Sequence, residues 1–359
     1  MKIHSLSLTL LTFFLFSLPQ SQTPFTPTLE KIQLAPNIYQ FITPPDGYVP
    51  NGNSVAIIND ADVLVFDTFT RPSTARAEID AIRRLTNKPV TYVVNSHWHP
   101  DHWSGNQAFQ REFPAAEFIA TEETRELMLN IANTWPKMFE DELRDDQADY
   151  DKEIQTNKLD DGSPLTDATR AQDQQDLNLE KSFVDEARTV HRVYPTLTFA
   201  DKLTLHRGSR EFQFFNMVGD AAGTTVLYLP QEKTLITGDV ISCPVPYYTP
   251  PLPQHLQTLR TLAQFDAAII VPGHGPAFHD KNFLNLEAQL LDSVITQVRA
   301  AVQKGAISIA DVQAQVNVEN LRAQFTHDDP ALDRQFRRYA KGMAANAYRC
   351  LRDSKSFEP

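Results

Sequence analysis

Cysteine is scarce: Cys243 and Cys350 are the two in 359 residues. A chain of this size does not depend on disulfides for its fold, and a Cys243–Cys350 bridge and two separate buried thiols both remain open. Basic residues are also short, 33 Lys+Arg against 45 Asp+Glu, for a formal net charge of -12. No basic run of useful length occurs. This excludes a nucleic-acid partner, which needs clustered Lys/Arg to release phosphate counterions, and it argues against an anionic membrane surface. Two active-site devices are missing as well. There is no Gly-rich phosphate loop, and no Gly-x-Ser-x-Gly elbow follows a strand, so a Ser-His-Asp hydrolase is a poor reading. The one long apolar stretch, residues 6–18, is too short to span a bilayer comfortably. It follows a basic start and ends at Pro19-Gln-Ser21, the order of a secretory signal. The expectation is a signal peptide over 1–21, a periplasmic or secreted protein, and no stable membrane insertion after its removal.

What is present is an ordinary globular composition, 42% hydrophobic and 22% charged, with a length that suits two domains or one large α/β unit. Short β-type runs appear at 38–42, 54–58 and 63–66, with the last closing on Asp67. Helical spacing of Ala75, Ile79, Ile82 and Leu85 predicts a helix over 72–86. The run 90–94 then reads as a strand buried on both faces. A second β-rich block covers 196–240, a helix is expected near 254–264, a strand at 267–271, and helices from 281 onward. The repeated order predicts two similar α/β halves packed sheet to sheet with helices outside. The domain expected is 30–280, extended by helices over 281–359 that pack on it.

Residues 140–187 stand apart, with 16 Asp+Glu, 5 Lys+Arg and the breaker Gly162-Ser-Pro164. A solvated helical insertion is the favoured reading and a cover over a site the sharper one.

The strongest chemical signal is Ser96-His97-Trp98-His99-Pro100-Asp101-His102, directly after the strand at 90–94. His97, His99 and Asp101 are two residues apart, which in extended backbone places them on one side. Pro100 biases His99 away from helix, excluding the helical His-Glu-x-x-His arrangement. Imidazole and carboxylate donors without thiolate suit a catalytic zinc or related divalent ion.

At these residues the chain resembles the metallo-β-lactamase-fold hydrolases, whose first signature is His-x-His-x-Asp-His after a buried strand. Thr237-Gly238-Asp239 and Val271-Pro-Gly-His274-Gly match later motifs of the family, and Asp67 its early structural aspartate. One position departs: where the family has a His-Thr-x-Gly segment, this chain has Val218-Gly-Asp220-Ala-Ala-Gly223. The resemblance implies an α/β (α+β) four-layer αββα sandwich of two packed mixed β-sheets. It implies one metal on His97, His99 and Asp220, a second on Asp101, His102 and His274, and Asp239 bridging. Two divalent ions are expected, Zn²⁺ foremost, with Mn²⁺ or Fe²⁺ open because Asp220 replaces an imidazole. The implied activity is attack by a metal-bound hydroxide on an ester, thioester, lactone or amide of a small molecule, a β-lactam included, with Asp101 also orienting the nucleophile or carrying a proton. The alternatives are a mononuclear iron oxidoreductase on the same scaffold and a non-catalytic binding protein with an altered site.

Around these motifs, residues 244–253 contain five prolines and the pair Tyr247-Tyr248, a stiff segment expected to wall the substrate pocket. Trp98 and Trp103 flank the ligands; core packing that fixes the loop is the favoured role for both and lining the pocket the other, with Trp98 the pocket candidate. Cys243 reads as a buried thiol, and His206 and His279 as surface residues.

Overall fold

Apolar β-branched runs set the architecture. Ser54–Ile58 and Val63–Phe66 are buried at every position, as strands covered on both faces must be. The computed structural model describes residues 26–44, 51–131, 135–159, 162–249 and 251–352. The expected signal peptide, 1–21, lies outside the described residues.

β1 (Glu30–Ala35), β2 (Ile38–Ile42), β3 (Ser54–Ile58) and β4 (Val63–Phe66) form an antiparallel meander. α1 (Pro72–Leu85) crosses to β5 (Val90–Val94), parallel to β4, and α2 (Asn106–Glu112) leads to β6 (Glu117–Thr121), parallel to β5. After α3 (Glu122–Ile131), α4 (Trp135–Thr156) and α5 (Asp167–Ala187), β7 (Leu197–Phe199) completes a seven-stranded mixed sheet in sequential order. β8 (Lys202–Arg207), β9 (Arg210–Met217), β10 (Thr224–Leu229) and β11 (Thr234–Ile236) are antiparallel neighbours. α6 (Leu252–Leu262) then leads to β12 (Ile269–Val271), which adds parallel to β11 and makes the second sheet five-stranded. α7 (Asn282–Gln303), α8 (Ile309–Gln313), α9 (Glu319–Thr326) and α10 (Pro330–Arg352) close the chain.

Alternation along the strands sorts the core into layers. Val55, Leu64, Phe66 and Ile119 meet Phe212, Phe214, Leu227 and Val271 between the sheets. Their neighbours Ala56, Val65 and Val93 face outward onto Ile79 and Ile82 of α1 and Phe109 of α2. On the other side, Val226, Leu235 and Ile270 face Leu259 of α6, Val294 and Val298 of α7, and Phe336 and Met343 of α10. The result is the four-layer αββα sandwich with two mixed sheets. Each such side chain, fully buried, contributes about 1.5–3 kcal/mol, so the inter-sheet layer is the main anchor of the strand ends that carry the site.

The acidic segment is α4 and α5, joined by a turn in which Gly162 adopts φ +85°, a conformation that favours glycine. It is not merely a solvated insertion. Phe139, Phe183, Val184 and Ala187 pack with Trp103 and Met128 beside the histidine loop. Arg71, fully buried at the start of α1, donates to the Leu179 carbonyl at 2.9 Å, and its guanidinium lies 5.2 Å from the Phe183 ring centroid. Glu186 accepts from the Ser73 amide at 2.6 Å and from its hydroxyl at 2.9 Å. Cys243 and Cys350 are free thiols, so the bridge left open by the sequence is not formed. His206 and His279 are exposed, as expected.

Candidate metal centre and active site

Every candidate ligand sits where a strand stops. β4 ends at Asp67, whose φ of +61° turns the chain sharply. Its Oδ1 accepts from the Ser96 amide at 2.7 Å and its Oδ2 from His102 Nδ1 at 2.8 Å. That second bond fixes the His102 tautomer and leaves Nε2 with no hydrogen-bond partner, although it is buried. His274, after β12, donates from Nδ1 to the Asn51 carbonyl at 3.0 Å and likewise points Nε2 into the site. His97 Nδ1 lies 2.9 Å from Ser96 Oγ, and its Nε2 lies 2.8 Å from His99 Nδ1.

The candidate ligand atoms form two groups, His97, His99 and Asp239, and Asp101, His102 and His274. The alternation expected of His97, His99 and Asp101 breaks at Asp101, because Pro100–His102 is a 3₁₀ turn rather than extended chain. The turn swings Asp101 across to His102 and His274, its Oδ2 being 3.3 Å from each Nε2. Asp239 Oδ2 stands between the groups, 3.7 Å from His97 Nε2, 3.4 Å from His102 Nε2 and 3.2 Å from His274 Nε2. Asp220 is buried beside the first group, with Oδ2 3.5 Å from His99 Nδ1 and Oδ1 accepting from the Thr249 amide at 2.9 Å. Its backbone amide donates to the Asp239 carbonyl at 2.9 Å, which ties the two aspartates together.

The electrostatics fit divalent cations. Burial works against charge on every one of these groups. Even so, His274 and His102 hold the Asp239 carboxyl well below the usual range, and His102 and His274 do the same for Asp101. Conversely, despite burial, Asp239 and Asp101 hold His102 well above its ordinary value and raise His274 to about 10. Surroundings that favour positive charge so strongly are matched by a divalent ion, and the buried orphan atoms His102 Nε2 and Asp239 Oδ1 are donors in place for one. His97 is driven well below its ordinary value by burial, His102 and His99, and a neutral imidazole is the ligating form. Burial and then Glu287 push the Cys243 thiol up to about 12, so it supplies no thiolate.

Glycines give the ligands room. A Cβ at position 52 would lie 2.7 Å from the Asp101 carbonyl and 2.8 Å from His102 Cε1, and one at position 273 would overlap Asp239 Oδ1.

The donors open into a cavity of about 820 Å³. Tyr247 lines it and is 47% exposed, whereas Tyr248 is in the core, 1% exposed, with its ring edge-on to His255. Trp98 stacks edge-on against His99, half-buried beside the Trp103 cluster, and holds Trp103 through a 2.7 Å bond from the indole Nε1 to its own carbonyl. Residues without a sequence motif complete the walls: Met138, Phe139, Glu142 and Asp146 from α4, Glu180 and Phe183 from α5, and Arg338 and Tyr339 from α10. One signal for them was available. Met138, Glu142 and Asp146 are four residues apart, which is one helical stripe.

A family model for the metallo-beta-lactamase superfamily matches residues 47–274, and the chain belongs to that superfamily. A curated relative, the linear primary-alkylsulfatase of Pseudomonas sp. (strain ATCC 19151), is 25% identical over 228 residues, 59% of this chain and 39% of that enzyme. The chain thus matches about two fifths of that relative's length. Among solved structures, the stereoselective inverting sec-alkylsulfatase Pisa1 from Pseudomonas sp. is similar over 92% of this chain and 52% of its own, at 16% identity and TM-score 0.61. A metallo-beta-lactamase from Pontibacter korlensis is similar over 74% of this chain and 99% of its own, at 18% identity and TM-score 0.51. Superfamily membership supports a metal-dependent hydrolase. No helix of the described residues is long and apolar enough to cross a membrane.

Proposed function

We propose that this chain is an exported hydrolase that cleaves an ester of a partly apolar small molecule at a pair of divalent ions, with alkyl sulfate esters the first class to examine. The observation that carries the reading is the position of Asp239, whose Oδ2 stands 3.2–3.7 Å from the Nε2 atoms of His97, His102 and His274, in a centre that opens into a cavity of about 820 Å³. The alkylsulfatase similarity supports the substrate class, and the order of residues 1–21 supports export.

His97, His99 and Asp220 would hold one ion and Asp101, His102 and His274 the other, with Asp239 within reach of both groups. Each set offers two imidazoles and one carboxylate, with Asp239 in reach of both, a donor combination that suits zinc and leaves Mn²⁺ or Fe²⁺ open. Divalent ions supply Lewis acidity and bring the pKa of water from 15.7 toward about 7. Asp101 stays ionised and is placed to carry the proton of the attacking water. Tyr247 flanks the apolar part of the substrate, and Phe139 and Phe183 exclude bulk water from the same side.

Metal per chain, measured by elemental analysis on protein purified without chelators, tests the centre. About two zinc per chain is the expected result. Asp220→Ala should retain one, and Asp220→His should retain two with altered turnover. No metal sinks the reading, and stoichiometric iron with thiol-dependent oxygen uptake replaces it with an oxidoreductase. Hexyl sulfate, hexyl acetate, a lactone and a β-lactam are then compared as substrates, and a two-metal protein that cleaves none of them refutes the hydrolase assignment.

A further inference from the structure

Besides the candidate metal ligands, the cavity lining has a second chemical character that hydrolysis does not use. Glu142 and Asp146 of α4 and Glu180 of α5 all line it. Glu180 is 4% exposed; its carboxyl shares a hydrogen bond with Asp146, while its Oε2 is buried without a partner. A buried carboxyl oxygen kept in that condition costs stability unless something completes it. Burial raises the Glu180 carboxyl to about 7, helped by Asp146 and Glu142, so the three already crowd one another. The positive charges nearby offset this only in part: exposed Arg338 of α10, which also lines the cavity, favours the charged form of Asp146, and Lys181, which donates to Gln147 Oε1 at 2.9 Å, that of Glu180, yet both carboxyls stay raised. Next to the carboxyls the walls are aromatic. Tyr247 and Tyr339 meet edge to face with centroids 5.0 Å apart, and Phe139 and Phe183 do so at 4.7 Å. Carboxylates beside aromatic faces, in a space open to solvent, suit an organic cation with an apolar stem.

We infer that the wall formed by Glu142, Asp146 and Glu180 is a specificity subsite for an ammonium group, so that the preferred substrate is an ester carrying an alkylammonium at the end remote from the bond cleaved. The inference rests on reading this cavity as the substrate pocket. It adds that an anionic group at the remote end is rejected, an effect that salt relieves by screening.

The test is calorimetric binding to the full metal-loaded chain, which needs no turnover. The probes are hexyltrimethylammonium, 1-hexanol and hexanesulfonate. The cation is expected to bind at least about tenfold more tightly than the alcohol, about 1.4 kcal/mol. Glu142→Gln/Glu180→Gln should reduce that preference to within about twofold, a change of about 1 kcal/mol, while its affinity for 1-hexanol stays as in the wild type. Glutamine keeps the shape, and Glu142→Gln alone, at an exposed position, guards against a folding defect and should give an intermediate ratio. Equal binding of cation and alcohol to the wild-type chain, or an undiminished preference in the double variant, overturns the subsite. If the preference holds and no ester is cleaved, the subsite stands and the hydrolase assignment falls. Ester cleavage without the preference has the opposite meaning.

Discussion

Adding one methyl group beneath Asp239 should disable the candidate metal centre and leave the sandwich folded. At position 273 a Cβ would overlap Asp239 Oδ1 and lie 2.7 Å from the Gly238 carbonyl carbon and 2.9 Å from the Asp239 amide. The backbone of Gly273 cannot give way easily. Gly273 donates to the Gly238 carbonyl at 2.9 Å and to the Ile241 carbonyl at 3.0 Å, and it accepts from the Asn53 amide at 2.7 Å. In Gly273→Ala the Asp239 side chain is therefore displaced, and the Gly238–Asp239 backbone that carries it must shift as well. Asp239 Oδ2 then leaves His102 and His274, from which it stands 3.4 and 3.2 Å in the native arrangement. Overpacking of this kind costs about 1–3 kcal/mol of stability. Disturbing the support of a ligand costs about 10–100-fold in metal affinity, and a misplacement near 1 Å costs about 10²-fold in rate. Competition with a graded series of chelators measures the affinity, and denaturant unfolding of metal-free protein measures the stability separately. A Gly273→Ala protein that binds both ions with native affinity would refute the argument that Asp239 is confined by its neighbour.

His255 is fully buried, donates from Nε2 to the Val240 carbonyl at 2.9 Å, and is lowered to about 4, chiefly by burial. An unfolded histidine titrates near 6.5. Between these values the unfolded chain binds the extra proton, so this contribution is complete above about pH 6.5 and is lost as pH falls toward 4, in all about 3 kcal/mol. His255→Gln should show a correspondingly smaller acid-side loss in denaturant titrations at pH 7, 5.5 and 4.5, and equal losses in the two proteins would exclude this account. The adjacent tyrosines should separate by assay. Tyr248→Ala empties a core site and should lose about 3–5 kcal/mol, whereas Tyr247→Ala should keep its stability within about 0.5 kcal/mol and raise KM on the true substrate. Identical behaviour of the two variants would contradict the geometry.

Much of the scaffold was legible because it is written locally. Ser54–Ile58, Val63–Phe66 and Val90–Val94 read as strands from short range, and the stripe of α1 from its spacing. The strand expected to start at Ala267 starts instead at Ile269, because the Ala268 and Ile269 amides both turn to the Lys233 carbonyl. The acidic segment is the helical insertion that its composition suggested, with most of its residues reaching solvent, but Arg71, more than a hundred residues from Leu179, ties one face of it down, and no local pattern reports such a contact.

The sequence by itself determined the donor types and their position at strand ends, since spacing, turn residues and buried strands are properties of neighbours along the chain. Tertiary structure decided which donors face one another. It decided that Asp101 leaves the company of His99 for that of His274, and that Tyr247 rather than Tyr248 meets the cavity. It also decided that Glu180 lines the same cavity as the candidate metal ligands. Each of these depends on chain segments brought together by burial of the two sheets, as when His274 finds the carbonyl of Asn51, 223 residues away. No pattern along the chain encodes such a meeting, because it is the packed core and not the local backbone that makes it favourable.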